Sequence, residues 1–130
     1  MIIREANKTD VNDIVHLLQQ VSQIHYELRP DIFMPNTVKY DALQVNALLE
    51  DSSYYVYVSV LDEKVVGYII CQVIQNKSHL VVQQKRLYID DLCVDENTRK
   101  MNIGKKLCEQ AKALAQQLHC YNITLNVWHP

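Results

Sequence analysis

The chain has 130 residues, 48% of them hydrophobic and 22% charged, with a formal net charge of -2 at pH 7. That size allows one domain, over residues 1–130, with roughly two-thirds of its unfolded surface buried. The charge argues against general nucleic-acid affinity, which needs a basic excess, and no apolar run approaches the roughly 20 residues of a membrane span.

The opening "MIIREANKTD" turns polar after three residues, without a signal-type apolar core or a transit-type bias, so the expected compartment is the cytoplasm. "IIRE" reads as a short first strand. From Thr9 the apolar positions Val11, Ile14, Leu18 and Val21 recur at helical spacing, and Thr9 or Asp10 is the expected cap. The two prolines of "LRPDIFMPN" break that helix. A second helix is predicted from about Thr37, with Val38, Ala42, Val45 and Leu49 on one face.

"YYVYVSVL" and "VVGYIICQVI" are rich in β-branched and aromatic residues and read as strands, joined by a turn at Asp62-Glu63-Lys64. "NKSHLVVQQK" fits no single pattern. "RLYIDDLCV" is the next strand, Ile103, Leu107, Ala111, Leu114 and Leu118 mark a helical face, and "YNITLNVW" alternates as a last strand. The predicted order, β-α-α-β-β-β-α-β, is that of a mixed α/β fold with an antiparallel meander at its centre.

Cys71, Cys93, Cys108 and Cys120 lack C-x-x-C spacing and lie in apolar patterns, as buried reduced thiols do. The five histidines show no ligand spacing, so no metal is expected.

Chemistry concentrates where the "RLYIDDLCV" strand gives way to a helix. A strand ending at Val94, a polar loop over residues 95–102 and a helix start gather free backbone N–H groups around one point, an arrangement that binds anions. Gly104, one of two glycines in the chain, lacks the Cβ that would obstruct a diphosphate, and Asn102 tolerates positive φ. Four cations (Arg99, Lys100, Lys105, Lys106) face two anions (Asp95, Glu96) in this stretch of an acidic chain.

Residues 99–104, "RKMNIG", resemble the R/Q-x-x-G-x-G/A motif of the GNAT superfamily of acyl-CoA-dependent N-acetyltransferases, with Asn102 in place of the middle glycine. The resemblance extends over the whole chain: "YIDDLCVDENTRKMNIGKKLCEQAKALA" is similar to the family's fourth strand, pyrophosphate loop and third helix, and "LNVWHP" to its fifth strand. It implies a mostly antiparallel central sheet with strands 4 and 5 parallel and helices on both faces. It also implies acetyl-CoA as cosubstrate, its pyrophosphate held by the backbone at Arg99, Lys100, Met101, Asn102, Ile103 and Gly104, with Lys105 beside it. Cys93 and Val94 would pair with the pantetheine arm as if with another strand. The Leu92 N–H would meet the acetyl carbonyl and stabilise its oxyanion.

Two carboxylates, Asp90 and Asp91, interrupt an otherwise mostly apolar strand, where an unpaired buried carboxylate is costly. Strand neighbours point to opposite faces, so both fit only where the strand splays at a cleft. The resemblance implies that Asp90 occupies the place of a glutamate that deprotonates the acceptor ammonium, here through a water because Asp is shorter; burial raises a carboxyl pKa toward the range of such a base. The structural alternative is that Asp90 caps a loop or pairs with Arg86. Asp91 is the second candidate. Cys93 as nucleophile is set aside, since no His is placed beside it.

Residues 25–33, "HYELRPDIF", resemble the family's variable acceptor loop, where Glu27 and Asp31 would favour a cationic amine. Tyr26 and Tyr88 are candidate pocket walls. After the fifth strand the family continues with a segment bearing a tyrosine general acid and two further strands, which the sequence lacks beyond Pro130. The expectation is therefore a homodimer covering the exposed edge of the fifth strand. Two functions remain open: an N-acetyltransferase acting on a small-molecule or protein amine, and a shortened, non-catalytic module that binds CoA or dimerises.

Overall fold

The computed structural model describes residues 1–75, 80 and 84–125, and of residues 99–101 the backbone alone. Strands β1 (Ile2–Glu5), β2 (Tyr54–Leu61), β3 (Lys64–Gln75), β4 (Lys85–Val94) and β5 (Asn122–Leu125) form one sheet in chain order. Every pairing is antiparallel except that of β4 with β5, which is parallel. Helices α1 (Val11–Leu28) and α2 (Ala42–Glu50) follow β1, and α3 (Ile103–Gln117) makes the crossover between the parallel strands. The fold class and element order expected from the sequence hold. No described helix is long and apolar enough to cross a membrane. Most of "NKSHLVVQQK", and Val127 of the expected last strand, lie outside the described residues.

Each sheet face has its own core, because strand side chains alternate. Ile14, Leu17 and Leu18 of α1 and Val45 of α2 pack with Val58, Tyr68, Ile70 and Cys93 on one face. Ile103, Leu107 and Ala111 of α3 pack with Ile69, Cys71, Leu87 and Ile89 on the other. Cys71 and Cys93 are buried, Cys108 and Cys120 half-buried, and none of the four is in a disulfide. Gly67 is the packing glycine: a Cβ there would lie 2.7 Å from Ser59 Oγ, 3.1 Å from the Cys93 carbonyl and 3.2 Å from Ile103 Cγ2.

Three local expectations need correction. Asp10, one of the two expected residues, stands at the N-cap of the first helix, but its side chain makes no cap bond to it. Asn7 caps a 3₁₀ turn over Lys8–Asp10, and the Asp10 carboxylate points back, accepting from the Asn7 N–H at 2.8 Å and from Arg4 at 2.8 and 3.0 Å. The second helix starts at Ala42 rather than near Thr37, because Asp41 and Gln44 form a reciprocal capping box that fixes its first turn. Lys64 belongs to β3. The hairpin turn is Asp62-Glu63 alone, both with positive φ (50° and 64°), the two-residue geometry that matches strand twist.

Candidate functional site

The site is built by an irregularity in β4. Ile70 of β3 pairs with Asp91, yet Cys71 pairs with Ile89, so Asp90 is an extra residue, a bulge. One inserted residue inverts the alternation of everything after it. Leu87 and Ile89 face α3, whereas Cys93 faces α1, its thiol donating to the Leu17 carbonyl at 3.6 Å. At the inversion, Asp90 and Asp91 both line a cavity of about 600 Å³ on the α1 side. The sequence expectation that the strand must open around these two carboxylates is thus met by a bulge.

The cavity is walled by Val21 and His25 of α1, Met34 and Lys39 of the loop after it, Tyr88 to Leu92 of β4, and Leu125 of β5. His25 stacks on Phe33 with ring centroids 4.9 Å apart, holding the loop against the helix. Among the described residues β4 pairs with β5 only from Arg86 to Ile89, while Leu92, Cys93 and Val94 pair with β3.

Asp90, with 13% of its side chain exposed, is held from the loop. Tyr40 Oη donates to Asp90 Oδ2 at 2.5 Å; Lys39 Nζ donates to the Asp90 carbonyl at 2.8 Å and lies 3.4 Å from Oδ1. Its cation is Lys39, not Arg86. Burial, and then the Asp90 carboxylate, hold the Tyr40 phenol well above the ordinary tyrosine pKa, so Tyr40 stays an O–H donor. Asp91 is served differently: Tyr68 Oη donates to its Oδ2 at 2.8 Å, and the Leu92 N–H donates to its Oδ1 at 3.0 Å. The amide expected to meet an acetyl carbonyl is therefore engaged by the neighbouring carboxylate.

Beyond Val94 the chain turns toward the helix. Asp95 is the pivot, a role the sequence reading did not assign to it. Its N–H donates to the Val66 carbonyl at 2.8 Å, its Oδ1 accepts from the Asn97 N–H at 2.9 Å, and its carbonyl accepts from the Thr98 N–H at 3.0 Å. The backbone of Glu96–Met101 forms a 3₁₀ turn, and Asn102 takes the left-handed conformation (φ 57°, ψ 28°) that its residue type tolerates. Its carbonyl receives the Lys106 N–H at 3.1 Å, and its side chain makes no cap. Ile103, Gly104 and Lys105 thus occupy the first turn, whose N–H groups have no intrahelical partner.

Gly104 is not required by the fold. Its φ is not positive, and among the described residues an added Cβ would meet only Val94 Cγ2 at 3.7 Å, ordinary contact. The first-turn N–H groups, with no side chain at Gly104, fit a phosphate-bearing group.

Other sequence candidates scatter. Tyr88 lines the Asp90 cavity and Tyr26 does not. Glu27 lines a second cavity of about 720 Å³ between α1, residues 36–38 and Glu96, and accepts from Gln23. Asp31 pairs with Arg29 at 2.9 Å. The two cavities share Thr37 and Val38. Lys39 and Tyr40 went unnoticed in the sequence, since nothing local marks a contact fifty residues away.

The site thus combines a mixed sheet whose fourth and fifth strands are parallel, a bulge in the fourth strand and a helix N-terminus at the crossover between them. The model of the GNAT acetyltransferase family matches residues 18–130, and the chain belongs to that family. No curated protein sequence matches it. Among solved structures it is similar to a tetramutant of the BH1408 protein from Bacillus halodurans, with 32% identity over 98% of this chain and 83% of that one and a TM-score of 0.90. It is also similar to an acetyltransferase from Vibrio fischeri, at 19% identity over 100% of this chain and 98% of that one and a TM-score of 0.84. An aminoglycoside N-acetyltransferase solved with CoA shares 12% identity over 98% and 79% of the two chains, with a TM-score of 0.72. At those identities the last two speak for the fold alone.

Proposed function

We propose that the chain is an N-acetyltransferase that moves the acetyl group of acetyl-CoA to a primary amine of a small molecule or protein by direct attack. The observation that carries this reading is the β4 bulge, which turns the Asp90 carboxylate into the cavity beside Leu92. Acetyl-CoA would supply a thioester carbonyl as the electrophile. The N–H groups of Ile103, Gly104 and Lys105, with the backbone of residues 99–102, would hold the diphosphate, and the main chain of Cys93 and Val94 would pair with the pantetheine arm. Asp90 would take the proton of the acceptor ammonium, directly or through water, with Tyr40 fixing its second oxygen. Leu92 would present its N–H to the developing negative charge once Asp91 turns aside, leaving Asp91 with its Tyr68 partner. A thiolate leaving group needs little help from an acid.

A second reading, a CoA-binding or dimerising module without catalysis, is favoured by one observation, the engagement of the Leu92 N–H by Asp91. Thiol release from acetyl-CoA in the presence of polyamines, aminoglycosides and lysine peptides separates the two. The enzyme reading expects turnover with at least one amine and a loss of about 10²- to 10⁴-fold in Asp90→Asn, the usual worth of a general base. Acetyl-CoA binding without turnover on any of them leaves the second reading.

A further inference from the structure

Lys39 stands where an acceptor amine would have to stand. Its Nζ lies 3.4 Å from Asp90 Oδ1 and 2.8 Å from the Asp90 carbonyl, in the cavity that also contains Leu92, and 45% of its side chain is exposed. No other described lysine combines a carboxylate partner with a wall of that cavity: Lys8 is paired with Glu50 at 3.0 Å but does not line it. The geometry points to Lys39 as an internal acceptor, acetylated by its own active site; this inference rests on the acetyl-CoA reading above.

The step is balanced as follows. Asp90 takes one proton from the Lys39 ammonium, and the freed Nζ lone pair forms an N–C bond to the acetyl carbonyl. The C–S bond to CoA breaks, the thiolate leaves with that electron pair, and the second amine proton passes to it to give CoA thiol. The products are an N-acetyl-lysine at position 39 and free CoA. Because Nζ is already held in the cavity, reaction within one chain gains the advantage of proximity, and its rate per chain is independent of protein concentration. The consequence is regulatory. While Lys39 is an ammonium it neutralises Asp90; as an amide it carries no charge, and the Asp90 carboxylate is left to pair with an external ammonium.

The test is peptide mass spectrometry of the whole chain after incubation with either of two donors: acetyl-CoA, or a small activated acetyl ester without a nucleotide. The ester arm reads only whether Asp90 makes Lys39 Nζ nucleophilic, in protein free of CoA. Lys39 is expected to gain one acetyl mass faster than Lys8 and Lys112 with both donors, by about a hundredfold with acetyl-CoA, and Asp90→Asn is expected to remove the preference. A Lys39 rate equal to that of Lys8 and Lys112, or unchanged in Asp90→Asn, overturns the inference. So does acetyl-CoA that raises the unfolding temperature yet leaves Lys39 unmodified. Selective reaction with the ester, with neither modification nor thermal shift from acetyl-CoA, upholds the nucleophilic site and overturns the cosubstrate instead.

Discussion

Tyr40 donates its hydroxyl to Asp90 Oδ2 at 2.5 Å, tying the loop before α2 to the bulge of β4 across fifty residues of chain. The loop that borders the cavity and the candidate base are therefore one mechanical unit. Tyr40→Phe is expected to cost about 1.5–3 kcal/mol in chemical unfolding, as hydrogen bonds to charged groups do. The same variant should flatten the alkaline limb. Tyr40 and Tyr68 both have raised pKa values when folded, chiefly through burial. Between the unfolded value, about 10, and the folded one, the native state holds protons the unfolded state has lost, so stability falls as pH rises past about 10. A Tyr40→Phe protein whose stability falls as steeply as the parent's would contradict this.

The two glycines should respond oppositely to alanine. Gly67→Ala forces a Cβ to 3.1 Å from the Cys93 backbone carbonyl and 2.7 Å from Ser59 Oγ, and overpacking of this kind costs about 1–3 kcal/mol. Among the described residues Gly104→Ala meets only Val94 Cγ2 at 3.7 Å, and a glycine-to-alanine change in a helix favours folding by up to about 1 kcal/mol. Denaturant midpoints for both variants check the contrast; equal losses would mean that Gly104 serves packing after all.

Arg4 and Asp10 join β1 to the start of α1, and the Asp10 side chain is 4% exposed. The Arg4 hydrogen bond, above all, lowers the Asp10 pKa; the Asn7 N–H adds to this against the opposing effect of burial. A lowered folded pKa contributes stability that is present above the unfolded value, about 3.9, and is lost as pH falls through the folded one. Asp10→Asn should lose stability at neutral pH and show a shallower acid limb below about pH 4. An acid limb identical to the parent's would place the acid sensitivity elsewhere.

We propose, from the edge position of β5 and the 52% exposure of Leu125, that two copies associate along this strand. Light scattering at micromolar concentration is expected to report a dimer, and Thr124→Pro to weaken it. A stable monomer removes the proposal.

The element order was legible because strands and helices announce themselves by period, and the strand-loop-helix context singled out the turn before α3. Asn102 in the left-handed region is where residue type and geometry agree. The start of α2 was obscured because Val38 continues the apolar period of Ala42 and Val45, while the capping box at Asp41 and Gln44 sets the true boundary; Val38 instead packs beside the cavities. The bulge was hidden for a related reason. Leu87, Ile89 and Cys93 all fall on odd-numbered positions and read as one face, and the two carboxylates between them do not by themselves show that Cys93 faces the opposite core. Lys39 and Tyr40 reach Asp90 only through tertiary folding.

The central claim is that the turn before α3 holds the diphosphate of acetyl-CoA, and thermal unfolding with increasing acetyl-CoA tests it most directly. Ligand at about a hundred times its dissociation constant should add roughly 2.7 kcal/mol to stability. Gly104→Glu, which puts a carboxylate where the diphosphate would lie, should fold and show no such gain. A parent protein indifferent to millimolar acetyl-CoA, or a Gly104→Glu protein stabilised as much as the parent, would contradict the account.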